Sequence, residues 1–153
     1  MTMPTTKLGE RMCGLSLCAL LALCCAHASA AEIGQVKVVR GQVDVERNGQ
    51  TMPAKPGMRL ETADVVRTGA EGSVGITMAD NSLLSAGPNS ILSLDRFDYD
   101  PTTNQGRFDT QLQKGSLSVI SGRMAKQSPD AMTVRTPSAI LGVRGTEFVV
   151  SAE

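Results

Sequence analysis

The chain has 153 residues, with fifteen basic and fifteen acidic side chains and a single histidine. That balance gives no electrostatic footprint for nucleic acid or for an anionic membrane, so nucleic acid is excluded as a partner. Three Phe, one Tyr and no Trp leave little aromatic surface for stacking on sugar rings or bases.

The first thirty residues read as a secretory signal peptide. Lys7 and Arg11 make a basic start, Leu15 to Cys25 is an apolar run, and Ala28-Ser29-Ala30 places small residues where a signal peptidase inspects the chain. The run is shorter than the ~20 residues a bilayer span needs, and no basic stop-transfer segment follows it. Cleavage after Ala30 is therefore expected, with an uncleaved anchor as the alternative. A lipoprotein signal fits less well, because Leu23 precedes Cys24 and Cys24 precedes Cys25. Residues 31–153 then form one domain with no transmembrane span after cleavage. All four cysteines (Cys13, Cys18, Cys24, Cys25) and His27 leave with the signal, and thirteen basic against fourteen acidic residues give the remainder a net charge of −1. A secreted domain of roughly 120 residues without disulfides must be held by its core alone. It has no histidine for a nucleophile triad and no Cys/His set for zinc.

After Ala30 helical periodicity is nearly absent. Short Val, Ile and Leu runs are punctuated by Gly, Pro, Asn and Asp at intervals of about eight to twelve residues, which indicates an all-β domain. Val36 and Val38 alternate, and Val43 and Val45 alternate on the opposite parity, so a change of face is expected at Arg40-Gly41. "RNGQ", from Arg47, predicts a tight hairpin; Pro53, Pro56 and Gly57 predict a loop. Val65-Val66 and then Val74, Ile76 and Met78 are the next strands. "ADNS", from Ala79, is a turn; Leu83-Leu84, the "GPNS" turn from Gly87, and Ile91 to Leu94 continue the pattern. "DPTTNQG", from Asp100, is a polar hairpin loop. Leu112, Leu117, Val119 and Ile120 predict a further pair of strands, and "GRMAKQSPD", which contains Met124-Ala125-Lys126, a long loop. Fragments recur: "VVRTG" at Val65 with "TVRTP" at Thr133, "GSVGI" at Gly72 with "GSLSV" at Gly115, "VVRG" at Val38 with "GVRG" at Gly142. A repeat of this kind points to strands coiling in similar rungs. The expected fold is all-β, a solenoid-like or sandwich arrangement of short strands, with no helix longer than about two turns.

The C-terminal stretch "TPSAILGVRGTEF" reads as a strand interrupted in its middle. Ala139, Leu141 and Val143 share a parity that faces a core, but continuing it would bury Gly145 and Glu147, whereas Thr146, Phe148 and Val150 make the better apolar face. A β-bulge or corner at Arg144-Gly145 resolves the conflict, because glycine tolerates its dihedrals. The Arg144 guanidinium is then expected to serve unpaired carbonyls of the corner, or to pair with Glu147.

These residues carry a resemblance. "VRTPSAILGVRGTEFVV" resembles the closing motif of the FecR domain, a periplasmic β-domain family in which Thr-Pro-x-Ala is followed by Val/Ile-Arg-Gly-Thr and an apolar strand. "ADVVRTGAEGSVGITMADNSLLSAGPNSILSLD" is similar to the family's central part, and "LQKGSLSVISGRMAKQSP" to the segment before its end. The family usually has Gly-Asp before the first valine pair and Asp-Gly-Ser at the turn; here Ala63-Asp64 and Asp80-Asn81-Ser82 stand instead. The resemblance implies that Thr136, Pro137, Gly142, Arg144, Gly145 and Thr146 are motif positions of structural weight. It also implies a Gram-negative envelope location, periplasmic or secreted. The best-known relatives are iron-transport regulators that join this domain through one membrane helix to a cytoplasmic anti-sigma segment, which is not found in these residues.

Other constellations are weaker. Asp95, Asp98, Asp100 and Asp109 surround the polar hairpin, but their spacing fits no calcium loop, and a solvated acidic hairpin explains them. As a glycosidase pair they would need a cleft and aromatic platforms. Arg67, Arg135 and Arg144 are candidates for an anion site, set against the plainer reading of arginines that serve the backbone. Ser116, Ser118 and Ser121 have no histidine or lysine motif beside them and read as strand positions. The expectation is a non-enzymatic protein without a cofactor, acting as a binding or sensor accessory for an envelope protein partner, with a role in signal transduction. The alternative is a structural envelope module that binds glycan or peptidoglycan.

Overall fold

The computed structural model describes residues 31–143 and 147–153. In chain order the strands are β1 (Glu32–Arg40), β2 (Val43–Arg47), β3 (Gln50–Pro53), β4 (Arg59–Glu61), β5 (Val65–Thr68), β6 (Ser73–Met78), β7 (Leu83–Ala86), β8 (Ile91–Tyr99) and β9 (Gly106–Ile120). A short helix, α1 (Arg123–Gln127), then precedes β10 (Met132–Arg135), β11 (Ile140–Gly142) and β12 (Glu147–Ala152). All twelve strands belong to one sheet, and the fold is all-β as the turn chemistry indicates. The tight turns fall where their residues demand. Asn48 and Gly49 both hold positive φ in the β2–β3 hairpin, and Asn81 and Asn104 do so in the β6–β7 and β8–β9 connections.

The sheet folds over on itself at β9, which at 15 residues is by far its longest strand. Residues before Gly115 pair with β8 on one side and, in parallel, with β10 on the other. Residues from Gly115 onward pair with β7 and β12. This makes two leaves. The first runs β4-β1-β6-β7-β9-β12 and the second β3-β2-β5-β8-β9-β10-β11. Their facing side chains form a single core, with Val36, Leu60, Ile76, Leu84 and Val119 from the first leaf and Val45, Val66, Leu92, Phe108, Leu112 and Val134 from the second. The single sheet thus curls over its core as a half-barrel, neither a sandwich of two separate sheets nor a solenoid of equal rungs.

Four of the passages from leaf to leaf are corners: β1 to β2, β5 to β6, β7 to β8, and the bend within β9. At Gly41 φ is +61°, and an added Cβ would lie 2.9 Å from the Glu71 carbonyl carbon. At Gly115 φ is +92°, and a Cβ would lie 2.5 Å from the Ser90 Cα. Two buried hydroxyls knit the stacked corners together. Thr68 Oγ1 donates to the Gly87 carbonyl (2.6 Å) and accepts from the Ser90 amide (2.8 Å). Ser90 Oγ in turn accepts from the Ser116 amide (3.0 Å). Corners that leave the ladder would otherwise orphan these backbone groups. The recurring fragments mark equivalent places here, since Gly72-Ser73 and Gly115-Ser116 each lead from a corner into the first leaf.

Four sequence expectations are corrected. The change of face in β1 lies at a bulge between Val36 and Val38 rather than at Arg40-Gly41. Val38 is therefore exposed, and Val39, Val43 and Val45 keep one inward parity across the corner. The segment from Leu112 to Ile120 belongs to one bent strand, not to a pair. The long loop from Gly122 contains α1, whose Met124 is buried in the core. Finally, Ala139 and Leu141 do not face the core: Ala139 is exposed, Leu141 lies on the open strand β11, and of that parity only Val143 is buried.

Candidate functional site

The motif residues resolve first into structural anchors. Asp64 is fully buried and takes both of its strongest bonds from one guanidinium, with Arg47 Nε on Oδ1 at 2.8 Å and Nη2 on Oδ2 at 2.7 Å. The same arginine reaches Glu61 Oε1 at 2.6 Å and the Arg59 carbonyl, while Asp64 Oδ2 also accepts the Glu61 amide. The hydrogen bond to Asp64 is the main reason that the Arg47 pKa is raised further. This network closes the β4–β5 connection over β2; removing either partner would leave a buried charge without compensation. Asp80 and Ser82 do the same at the β6–β7 turn. Asp80 accepts the Ser82 amide and hydroxyl, and Ser82 Oγ accepts the Gly122 amide at 2.9 Å, so the turn also fixes the start of α1.

The terminal motif divides in two. Thr136 and Ala139 bond reciprocally, amide to carbonyl at 2.8 Å and amide to hydroxyl at 3.0 Å, in the turn that joins β10 to β11. Pro137 sits exposed at its tip. Gly142 ends β11, and a Cβ there would meet open space. Arg144, Gly145 and Thr146 lie outside the described residues, as does the corner expected at them.

The other candidate constellations are dispersed. Asp98 pairs with Arg96 and Asp109 with Arg107. Asp100 accepts the Thr102 amide and the Thr103 hydroxyl of its own loop, and these bonds, the Thr102 amide foremost, hold its carboxyl below the usual range. Burial pushes Asp109 up, but the Arg107 guanidinium, with Thr133 and Arg135, more than offsets it and leaves the carboxyl below its ordinary value; burial raises Asp95, against the pull of Arg135. Among the described residues no cluster of His, Cys, Asp or Glu is arranged to hold a metal ion. Arg67 pairs with Glu46, and β8 and β9 separate it from Arg135, so those arginines do not converge. Ser116 and Ser118 are strand positions on β9, and Ser121 lies just beyond it, buried.

What remains is a surface that sequence reasoning did not single out. Directly opposed residues of antiparallel strands share a face. One cross-strand row on the outside of the first leaf accordingly runs Val38, Gly75, Ser85, Ser118, Val149 across β1, β6, β7, β9 and β12. The adjoining row is Thr77, Leu83, Ile120, Glu147. Val38, Leu83, Ile120 and Val149 are all exposed, and a shallow groove of about 290 Å³ opens between Val38, Gly75, Leu83 and Ile120. Charge stands at the margins of this face, in Lys37, Arg40, Arg59 and Glu147. The signal was present in the sequence as apolar doublets. In Val38-Val39, Leu83-Leu84, Val119-Ile120 and Val149-Val150, one member points inward and the other must point to solvent.

A solved structure described as "Cell surface anchoring domain" is 33% identical over 40% of this chain and 83% of its own, with a TM-score of 0.39. No curated protein matches. The profile described as "FecR protein" matches residues 64–153, from the buried Asp64 through β12. The chain belongs to the FecR family.

Proposed function

We propose that this chain is a non-catalytic, exported module that docks an envelope protein partner through the outer face of its first leaf, as a binding or sensor accessory in signalling. Family membership supports a role related to signal transduction. The observation that carries the docking reading is the exposed apolar group of that face, Val38, Leu83, Ile120 and Val149, in which Leu83 lies directly opposite Ile120. Strands with one solvated face normally alternate apolar with polar residues, whereas contiguous exposed apolar surface rimmed by polar residues marks interaction sites. A protein suits this face better than a glycan, since Phe97 and Phe108 pack edge to face in the core and present no platform to a sugar.

The basic, apolar and small-residue order of residues 1–30 supports export with cleavage at Ala31 and an envelope location. Among the described residues no helix is long and apolar enough to cross a membrane. The absence of Cys and His from residues 31–153 supports a non-catalytic role.

The test is affinity capture from the envelope fraction of cells expressing the tagged full chain, with mass spectrometry of both the bait and what it retains. Bait beginning at Ala31 and one protein recovered stoichiometrically are expected. Leu83→Lys with Ile120→Lys should abolish that recovery without changing the melting temperature. Retention on purified peptidoglycan, with no protein partner recovered, overturns the reading.

A further inference from the structure

Among the described residues the sheet has open edges at β3, β4, β11 and β12, and natural sheets guard such edges against pairing with another chain. β3 ends in Pro53, which has no amide to donate. β4 is three residues long and flanks its single leucine with Arg59 and Glu61, both held in ion pairs. β11 is also only three residues long. β12 differs from β3 and β4 in having no Lys, Arg or Pro among its residues, Glu147–Ala152, and from β11 in being six residues long; its outward Val149 is 67% exposed.

We propose that β12 is a self-association edge, at which a second copy of this chain adds its own β12 antiparallel and extends the first leaf across a two-fold axis. A perpendicular two-fold requires a residue to face its own counterpart; overlap of the six-residue strand limits that residue to Val149 or Val150, and charge decides between the two. Centred on Val149, the pairing sets Glu147 against Ser151 and Phe148 against Val150, with no like charges opposed. Centred on Val150, it would set Glu147 against Glu153. In the Val149 register outward Val149 lies on outward Val149 and inward Phe148 on inward Val150. Beside the edge, Ile140 is 74% exposed, and an open slot of about 260 Å³ separates Leu141 and Val143 from Phe148 and Val150. Apolar surface is thus available to be covered when the second copy arrives. Dimerisation would join the outer faces of the two first leaves into one surface.

Protein purified from the envelope of cells expressing the full chain should sediment as a dimer at micromolar concentration. Val149→Lys, at an exposed position, should give a monomer with an unchanged circular dichroism spectrum, and mixing it with Val149→Glu should restore a mixed dimer. Directly opposed residues have Cβ atoms within disulfide reach, so Val149→Cys should cross-link to itself under mild oxidation while Leu83→Cys should not. A wild-type monomer throughout the micromolar range overturns the proposal. So does a dimer that tolerates Val149→Lys, or one that cross-links through Leu83→Cys and not Val149→Cys. Loss of partner capture by the Leu83 and Ile120 variants is a separate readout, so failure of one reading leaves the other standing.

Discussion

Ala63 holds φ at +71° in the turn that delivers Asp64 to Arg47, a conformation that costs an L-residue about 1 kcal/mol. The turn needs it, because the Ala63 amide bonds to the Leu94 carbonyl at 2.7 Å and the Asp64 carbonyl accepts the Leu94 amide at 2.9 Å. Relatives usually place glycine before this aspartate, and the backbone shows why. The Ala63 methyl is exposed, so its removal gives up no packing. Ala63→Gly should therefore stabilise the protein by a few tenths of a kcal/mol, about 0.5 at most, the strain relieved slightly exceeding the added freedom of the unfolded chain. A denaturant titration with unchanged slope and a higher midpoint would show it; a lower midpoint would mean that the turn is not under strain.

Among the elements, β9 carries the most consequence, because its bend at Gly115 puts one strand into both leaves. A side chain there meets two costs at once, a left-handed backbone and collision with Ser90, whose Cα and Cβ would lie 2.5 and 2.7 Å from the new Cβ. Ser90 cannot retreat, being fully buried and bonded to Thr68 and Ser116. Gly115→Ala should cost about 3 kcal/mol or more. Gly49→Ala, with φ at +76° but nothing within 4 Å of the new atom, should cost about 1 kcal/mol. Equal losses in urea unfolding would refute the collision. Strand existence was legible from turn residues and alternation, but this bend was not: a glycine that ends a strand and one that bends it look alike until the neighbouring corner is known. β4 escaped notice because Arg59-Leu60-Glu61 offers a single apolar residue to alternation. Val38 was misassigned because a bulge leaves no mark in the period. The exposed apolar face lay hidden in apolar doublets, which read as redundancy in a core when each places one residue outside it.

At the scale of the molecule, sequence-distant strands are neighbours, β1 with β6 and β2 with β5, and neither leaf encloses a core of its own. The buried side chains of both leaves form one cluster. β9 anchors that cluster from each side, through Leu112 in one leaf and Leu117 in the other, both fully buried. Opening either leaf exposes the inner face of the other and breaks the ladder of the shared strand, so the leaves have no independent stability to retain. The protein should unfold as one cooperative unit. Native-state hydrogen exchange would then give the slowest amides of β6, such as Ile76, and of β5, such as Val66, the same opening free energy to within about 0.5 kcal/mol, equal to the global stability. Gly115→Ala should lower both by the same amount, although its clash lies at a corner distant from either strand's centre. Were one leaf to exchange at a lower free energy while the other stayed protected, the two would be separate folding units, and the continuity of β9 would be an incidental join between them.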